Sequence, residues 1–325
     1  MLKIRLYVSV ILLISLSLTG LYAGAQIEPI SPGIHKQSFI YAVKDSAKLG
    51  LDVYNNTSGT VTKKPCVLFI FGGAFIAGHR DDSIYNKYFN SLVDHDYVLI
   101  SISYRLGLKG AKHLSKYNIA PLRKAVSMAI EDVYDATNWV IENSAMLGID
   151  TGKIILSGSS SGAITVLGAD FRRRNNMEIA QKLPAGFQYA GVVSFSGAVL
   201  SFNGSLKYAI PPAPTLLFHG SADKIVPYNK IRFLNKGFYG SSWIARTFKK
   251  EKYPFYIYRA EGLGHEMAVL PMYNQLPLIL DFLDRFVMQK KPLQVDMSYD
   301  DPAIKPLMIL TPKELFKKLQ QKSAE

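Results

Sequence analysis

Ser160 stands in Gly158-Ser159-Ser160-Ser161-Gly162, directly after the apolar run Lys153–Ser157 and directly before Ala163–Ala169. The order reads as strand, sharp turn, helix. A hydroxyl raised on such a turn can be approached closely by a base and a reacting group only if the positions two before and two after it lack side chains. The helix that follows aims its free N-terminal amides at any negative charge forming there. A serine hydroxyl is a poor nucleophile unless a base takes its proton, and the base needs an acid to orient it. Alone, the pattern also fits a Gly/Ser-rich turn or a phosphate-binding one, so the partners of Ser160 decide its meaning.

The chain has six histidines, at positions 35, 79, 95, 113, 219 and 265. Only His265 lies in a glycine-bracketed loop, Gly262-Leu263-Gly264-His265-Glu266, between an expected strand and the last expected helix. Such a loop presents a side chain at the carboxyl edge of a parallel sheet, where sites on open α/β sheets form. Asp223, in Leu217-Phe218-His219-Gly220-Ser221-Ala222-Asp223, follows another expected strand and is the candidate acid, although aspartate is also a common turn residue. The order Ser160, Asp223, His265 therefore puts each group after its own strand. Phe71-Gly72-Gly73-Ala74-Phe75 follows a buried strand, and its small residues let backbone N–H groups face a developing oxyanion together with the amide of Ser161. A tight turn needing glycine for geometry alone has the same composition.

The elements that must position these groups are legible from hydrophobic pattern. Lys36–Val43 and Leu49–Tyr54 read as an antiparallel pair. Val67–Phe71 and Val98–Tyr104 are short and mostly apolar, as strands buried on both faces of a parallel sheet should be. Tyr85–Asp94 has helical spacing, and Pro121–Leu147 predicts a long amphipathic helix with Ala125, Ala129, Val133, Ala136 and Val140 on one side. Asp135 falls on its polar face and Asp132 near the boundary. Tyr189–Phe195, Thr215–Phe218 and Pro254–Tyr258 predict further strands, and Leu276–Met288 a helix. Alternating strands and helices imply an α/β class with a mostly parallel sheet covered on both faces.

With 325 residues, 48% hydrophobic and 19% charged, the chain can bury a substantial core and is not of disordered composition. Its single cysteine, Cys66, excludes an intrachain disulfide, and no Cys/His cluster has structural zinc spacing. Residues 1–25 combine Lys3 and Arg5, an apolar middle from Leu6 to Leu18, and Ala23-Gly24-Ala25. They are expected to form a secretory signal cleaved after Ala25, with an uncleaved anchor as the rival reading. The formal charge is +13, in scattered residues and short clusters such as Arg172-Arg173-Arg174 and Lys317-Lys318. No nucleic-acid recognition motif accompanies that charge. A solvated basic face is the simpler reading, and attraction to anionic glycans or envelope surfaces the sharper one. The expected domains are the signal at 1–25, one catalytic-type domain at 26–288, and a peripheral basic extension at 289–325.

On Phe71–Phe75, Ser103-Tyr104-Arg105, Gly158–Gly162, His219–Asp223 with Val226-Pro227, and Gly264-His265, the chain resembles the α/β-hydrolase superfamily over roughly residues 34–288. The likeness is to the secreted esterase/lipase branch related to hormone-sensitive lipase and bacterial feruloyl esterases. That resemblance implies the α/β-hydrolase fold, Ser160 as nucleophile, His265 as general base and acid, and Asp223 as orienting carboxylate. It also implies oxyanion amides from Gly73, Ala74 and Ser161. No cofactor or metal is expected, and no nucleic-acid partner. The expected substrate is a carboxylic ester, small or glycan-linked, such as an acetyl or feruloyl ester on plant polysaccharide. A serine peptidase on the same fold and a catalytically inactive binding protein are the alternatives. The branch usually opens its oxyanion motif with histidine followed by three glycines. Here Phe71 and Ala74 stand at the first and last places, which removes a supporting hydrogen bond and leaves the loop's alignment open. Too few residues precede the first strand pair for a large helical cap.

Overall fold

The structure, a computed structural model, describes residues 27–324 apart from 45, 57–61, 112–118, 202–203, 234–235 and 308–309. The expected signal at 1–25 and His113 lie outside the described residues. A nine-stranded sheet forms the centre, in the order β1-β2-β4-β3-β5-β6-β8-β11-β12. Its strands are β1 (Ile34–Lys44), β2 (Ala47–Asn56), β3 (Lys64–Ile70), β4 (Val98–Ile102), β5 (Ile149–Ser159), β6 (Gly191–Phe195), β8 (Thr215–Gly220), β11 (Phe255–Ala260) and β12 (Gln294–Tyr299). β1 and β2 pair antiparallel, as does β2 with β4, and every other neighbour pair is parallel.

The inner strands are apolar without alternation because both faces are covered. Val67–Ile70 and Val98–Ile100 are wholly buried. The longer helices are α1 (Asn86–Asp94), α2 (Ala120–Glu142), α3 (Ser161–Arg174), α4 (Ser241–Glu251), α5 (Leu276–Phe282) and α6 (Pro312–Ala324). On α2 the five apolar residues named from spacing are all buried. Asp132, expected near the boundary, is fully buried instead, where its carboxylate accepts the Arg105 backbone N–H at 2.8 Å and the Arg105 Nε–H at 2.9 Å. Burial pushes its carboxyl up, and the Arg105 contacts oppose that.

Three stretches differ from the sequence expectation. The long helix stops at Asn143, whose amide donates to the Trp139 carbonyl, and one short helical turn, Ser144–Leu147, ends at Gly148 with φ 66°. On either side of the expected strand at 215–218, residues 198–201 and 230–251, where no element was expected, hold α4 and a second antiparallel sheet of β7 (Ala198–Ser201), β10 (Lys236–Gly240) and β9 (Lys230–Phe233). The supposed peripheral extension supplies β12, which pairs in parallel with β11 along its whole length.

Register explains where a site can form. Ile70 pairs with Gly158, Ser159 with Phe195, Phe195 with Phe218, and Gly220 with Ala260. The loops after β3, β5, β8 and β11 therefore leave the sheet along one edge. Between β3 and β5 the winding direction reverses, since β4 lies on the other side of β3, and such a switch point opens a crevice at the carboxyl ends.

Candidate active site

Ser160 sits between β5 and α3 with φ 52° and ψ −113°, a conformation that costs a non-glycine residue about 1–3 kcal/mol. It is held there by its own backbone. The N–H donates to the Phe195 carbonyl at 2.8 Å, and the carbonyl accepts the Ile164 N–H at 2.9 Å. The flanking glycines are required for a reason other than access to the hydroxyl. A Cβ on Gly158 would lie 2.5 Å from the Gly162 carbonyl carbon, and one on Gly162 only 2.0 Å from the Ile70 carbonyl oxygen. The turn closes on itself and on the end of β3, and side chains at either place would wedge it open.

Ser160 Oγ lies 2.7 Å from His265 Nε2, and His265 Nδ1 lies 2.7 Å from Asp223 Oδ2. Three side chains separated by up to 105 positions thus form one hydrogen-bonded chain. Ser160 keeps 9% of its surface exposed and His265 keeps 4%. Asp223 Oδ1 accepts the N–H groups of Ile225 at 2.8 Å and Val226 at 3.0 Å. Burial pushes the Asp223 carboxyl up, but the charge of His265 and hydrogen bonds from His219 and His265 outweigh it, holding the group well below the ordinary carboxylate range. An ionised carboxylate only accepts, so His265 carries its hydrogen on Nδ1 and turns a lone pair on Nε2 toward the serine hydroxyl. The His265 loop reaches this place by packing on β8, where a Cβ on Gly220 would lie 2.3 Å from the Leu263 carbonyl oxygen. Of the other described histidines, His35, His79 and His95 are exposed and His219 is fully buried.

The loop after β3 has three consecutive residues with positive φ: Gly73 at 129°, Ala74 at 55° and Phe75 at 60°. A side chain on Gly73 would collide with the Ala77 carbonyl oxygen at 1.9 Å. The Gly73 carbonyl accepts the N–H groups of Ile76 and Ala77, which curls the loop. No hydrogen bond among the described residues uses the N–H of Gly73, Ala74 or Ser161. The backbone of this loop abuts the serine, since a Cβ on Gly72 would lie 3.3 Å from Ser160 Cβ.

Two tyrosine hydroxyls hydrogen-bond the backbone at Phe71 and Gly72. The Tyr104 hydroxyl donates to the Phe71 carbonyl at 3.0 Å and lies 3.3 Å from Ser161 Oγ, while the Phe71 ring packs on the Tyr104 ring with centroids 4.6 Å apart. The Tyr85 hydroxyl accepts the Gly72 N–H at 3.2 Å. Both phenols are buried, which pushes their titration well above the ordinary range, for Tyr85 to about 12, so both hydroxyls stay neutral. The sequence pattern gives Tyr104 no role within Ser103-Tyr104-Arg105 and marks Tyr85 only as the start of a helical stretch. The usable signal was an aromatic hydroxyl directly after β4, next to β3. Among the described residues, no group of three or more His, Cys, Asp or Glu is placed to hold a metal ion.

Solved structures of Thermogutta terrifontis esterase 2 share the fold of this chain. The native form aligns with a TM-score of 0.58 at 22% identity, covering 81% of this chain and 96% of that one. The butyrate-bound form aligns at 0.56 and 21%, covering 78% and 95%. The chain has the α/β-hydrolase fold. The family model described as BD-FAE matches residues 51–202 of this chain. Esterase B1 of Culex pipiens is 31% identical over 141 residues, 43% of this chain and 25% of that protein. Esterase LipI of Mycobacterium tuberculosis is 33% identical over 100 residues, 30% and 26% of the two chains. The chain spans about a quarter of the length of the curated relatives it matches.

Proposed function

We propose that this α/β hydrolase is an exported serine esterase that cleaves carboxylic esters through a covalent acyl-enzyme. The observation that carries the reading is the continuous chain from Ser160 Oγ through His265 to Asp223, at 2.7 Å for each link, beside a loop in which the N–H groups of Gly73 and Ala74 bond to none of the described residues. In this reading Ser160 Oγ attacks the ester carbonyl carbon while His265 Nε2 takes the hydroxyl proton. The imidazolium that forms keeps its Nδ1–H on ionised Asp223. The carbonyl oxygen becomes an oxyanion and receives the N–H groups of Gly73, Ala74 and Ser161, where one such donor is worth about 3 kcal/mol. Collapse expels the alcohol, which leaves with the proton from Nε2. Water then attacks the acyl-serine, gives its proton to Nε2, and the acid departs as Ser160 regains its hydrogen.

Relatives support the substrate class. Thermogutta terrifontis esterase 2 is solved with butyrate and propionate bound and after phosphorylation by paraoxon. The BD-FAE match favours acetyl or feruloyl esters on polysaccharide as the natural form. The test is a panel of p-nitrophenyl acetate, butyrate and octanoate, methyl ferulate and acetylated xylan, read for wild type and Ser160→Ala. Turnover of short or feruloyl esters, lost in Ser160→Ala, is expected. Equal rates in both proteins, or hydrolysis confined to peptide substrates, would overturn the reading.

A further inference from the structure

Asp223 serves two histidines. His219, at the end of β8, is fully buried, and its Nε2 lies 3.2 Å from Asp223 Oδ2, the same oxygen that holds His265. That nitrogen also lies 3.2 Å from the Val226 carbonyl oxygen. Both neighbours only accept, so Nε2 carries a hydrogen and donates. On the other side of the ring, His219 Nδ1 lies 2.8 Å from the Ser241 hydroxyl, at the first turn of α4. That hydroxyl has a second neighbour, the Gly197 carbonyl, at the longer distance of 3.4 Å. With Nε2 protonated, a neutral ring accepts the Ser241 hydrogen at Nδ1. The ring is further fixed edge-on to Tyr228, with centroids 5.5 Å apart.

Counting donors gives Asp223 a full set. Oδ1 receives two backbone N–H groups, and Oδ2 faces one N–H from each of two imidazoles. A carboxylate with only His265 on Oδ2 can pivot about the Oδ1 contacts and let the catalytic imidazole swing; a second N–H on the same oxygen removes that freedom. Resting on the esterase reading above, we propose that His219 is a positioning residue, which with Ser241 locks the Asp223 carboxylate in the orientation that presents Oδ2 to His265. His219 touches no reacting atom, so it acts on how the relay is held and leaves substrate binding alone.

The test compares wild type with His219→Phe, which keeps a planar ring and loses the N–H, and His219→Gln, whose amide places a donor near the Nε2 position. Two quantities are read in each: the downfield proton resonance of the His265 Nδ1–H···Asp223 bond, and kcat with KM on p-nitrophenyl butyrate. His219→Phe is expected to shift or broaden that resonance and lower kcat by about 10- to 100-fold with KM within about twofold. His219→Gln is expected to recover most of both. Should His219→Phe not fold, Ser241→Ala removes the hydroxyl from Nδ1 with His219 in place, and a smaller shift of the same resonance is expected. A folded His219→Phe, or Ser241→Ala in its stead, with wild-type resonance and kcat overturns the proposal. If the wild type hydrolyses no ester, the esterase reading fails, while the resonance comparison still decides whether His219 holds the relay.

Discussion

At the scale of single residues, the site depends on which atoms carry hydrogens. Asp223 Oδ2 faces His265 Nδ1 at 2.7 Å and fixes the tautomer that leaves Nε2 free to accept from Ser160. Asp223→Asn presents an amide in place of a pure acceptor and allows the wrong tautomer. It is expected to lower kcat by about 10⁴-fold with little change in fold or KM, as read by steady-state kinetics and circular dichroism. The direction of the Asp223 shift sets a pH prediction. Its folded value is depressed, so the stability it contributes is present above the ordinary carboxylate range and is lost only as pH falls through that depressed value. Mild acid therefore leaves the carboxylate ionised, and the acid limb of log(kcat/KM) should have a slope of one, from a single protonation. A slope of two would mean that Asp223 titrates in the same range. Tyr104→Phe, which leaves the buried Phe71 carbonyl without its donor, should cost about 1–3 kcal/mol of stability in denaturant unfolding.

At the scale of elements, the turn around Ser160 works because two glycines let β5, α3 and β3 converge. Gly162→Ala places a methyl 2.0 Å from the Ile70 carbonyl oxygen, and the neighbour is backbone, which yields poorly. The expected outcome is a loss of about 1–3 kcal/mol in unfolding and a larger loss of activity, because the turn that raises Ser160 must open. The inner strands were legible in the sequence because burial on both faces writes itself as unbroken apolar runs, as in Val67–Ile70. The order of Ser160, Asp223 and His265 along the chain was legible for the same reason, each following such a run. β7, β9 and β10 were not, because short antiparallel strands such as Lys230–Phe233 carry polar residues and no clear alternation. β12 reads Gln-Val-Asp-Met-Ser-Tyr, an exposed edge strand without a buried-strand signature. Asp132 was misjudged because periodicity places a side chain on a face but does not reveal that Arg105 lies there to neutralise it. Tyr85 was missed because its hydroxyl meets Gly72 only through tertiary packing.

At the scale of the whole molecule, the charge and the proposed export each carry a prediction. Part of the formal +13 is turned inward: Arg173 donates to the carbonyls of Phe187, Ala180 and Pro184, and Arg174 pairs with Asp170 at 3.0 Å. The arginine cluster at 172–174 therefore ties loops to α3 and adds little to a basic outer surface. Any association with anionic glycans falls to exposed lysines such as Lys249 and Lys250, and should weaken steeply with salt in a sedimentation assay with acidic polysaccharide. The proposed export makes its own prediction. N-terminal sequencing of protein recovered outside the cytoplasm should begin at Gln26, whereas an uncut N-terminus in the membrane fraction would favour an anchor.

The most direct measurement is peptide mass spectrometry of the native protein after exposure to paraoxon, run alongside His265→Ala. The account predicts one diethylphosphoryl group on Ser160, with the modification much slower in the histidine variant. A folded protein that stays unmodified, or one modified elsewhere at the same rate in both forms, would contradict a nucleophile activated through the 2.7 Å contact between Ser160 and His265.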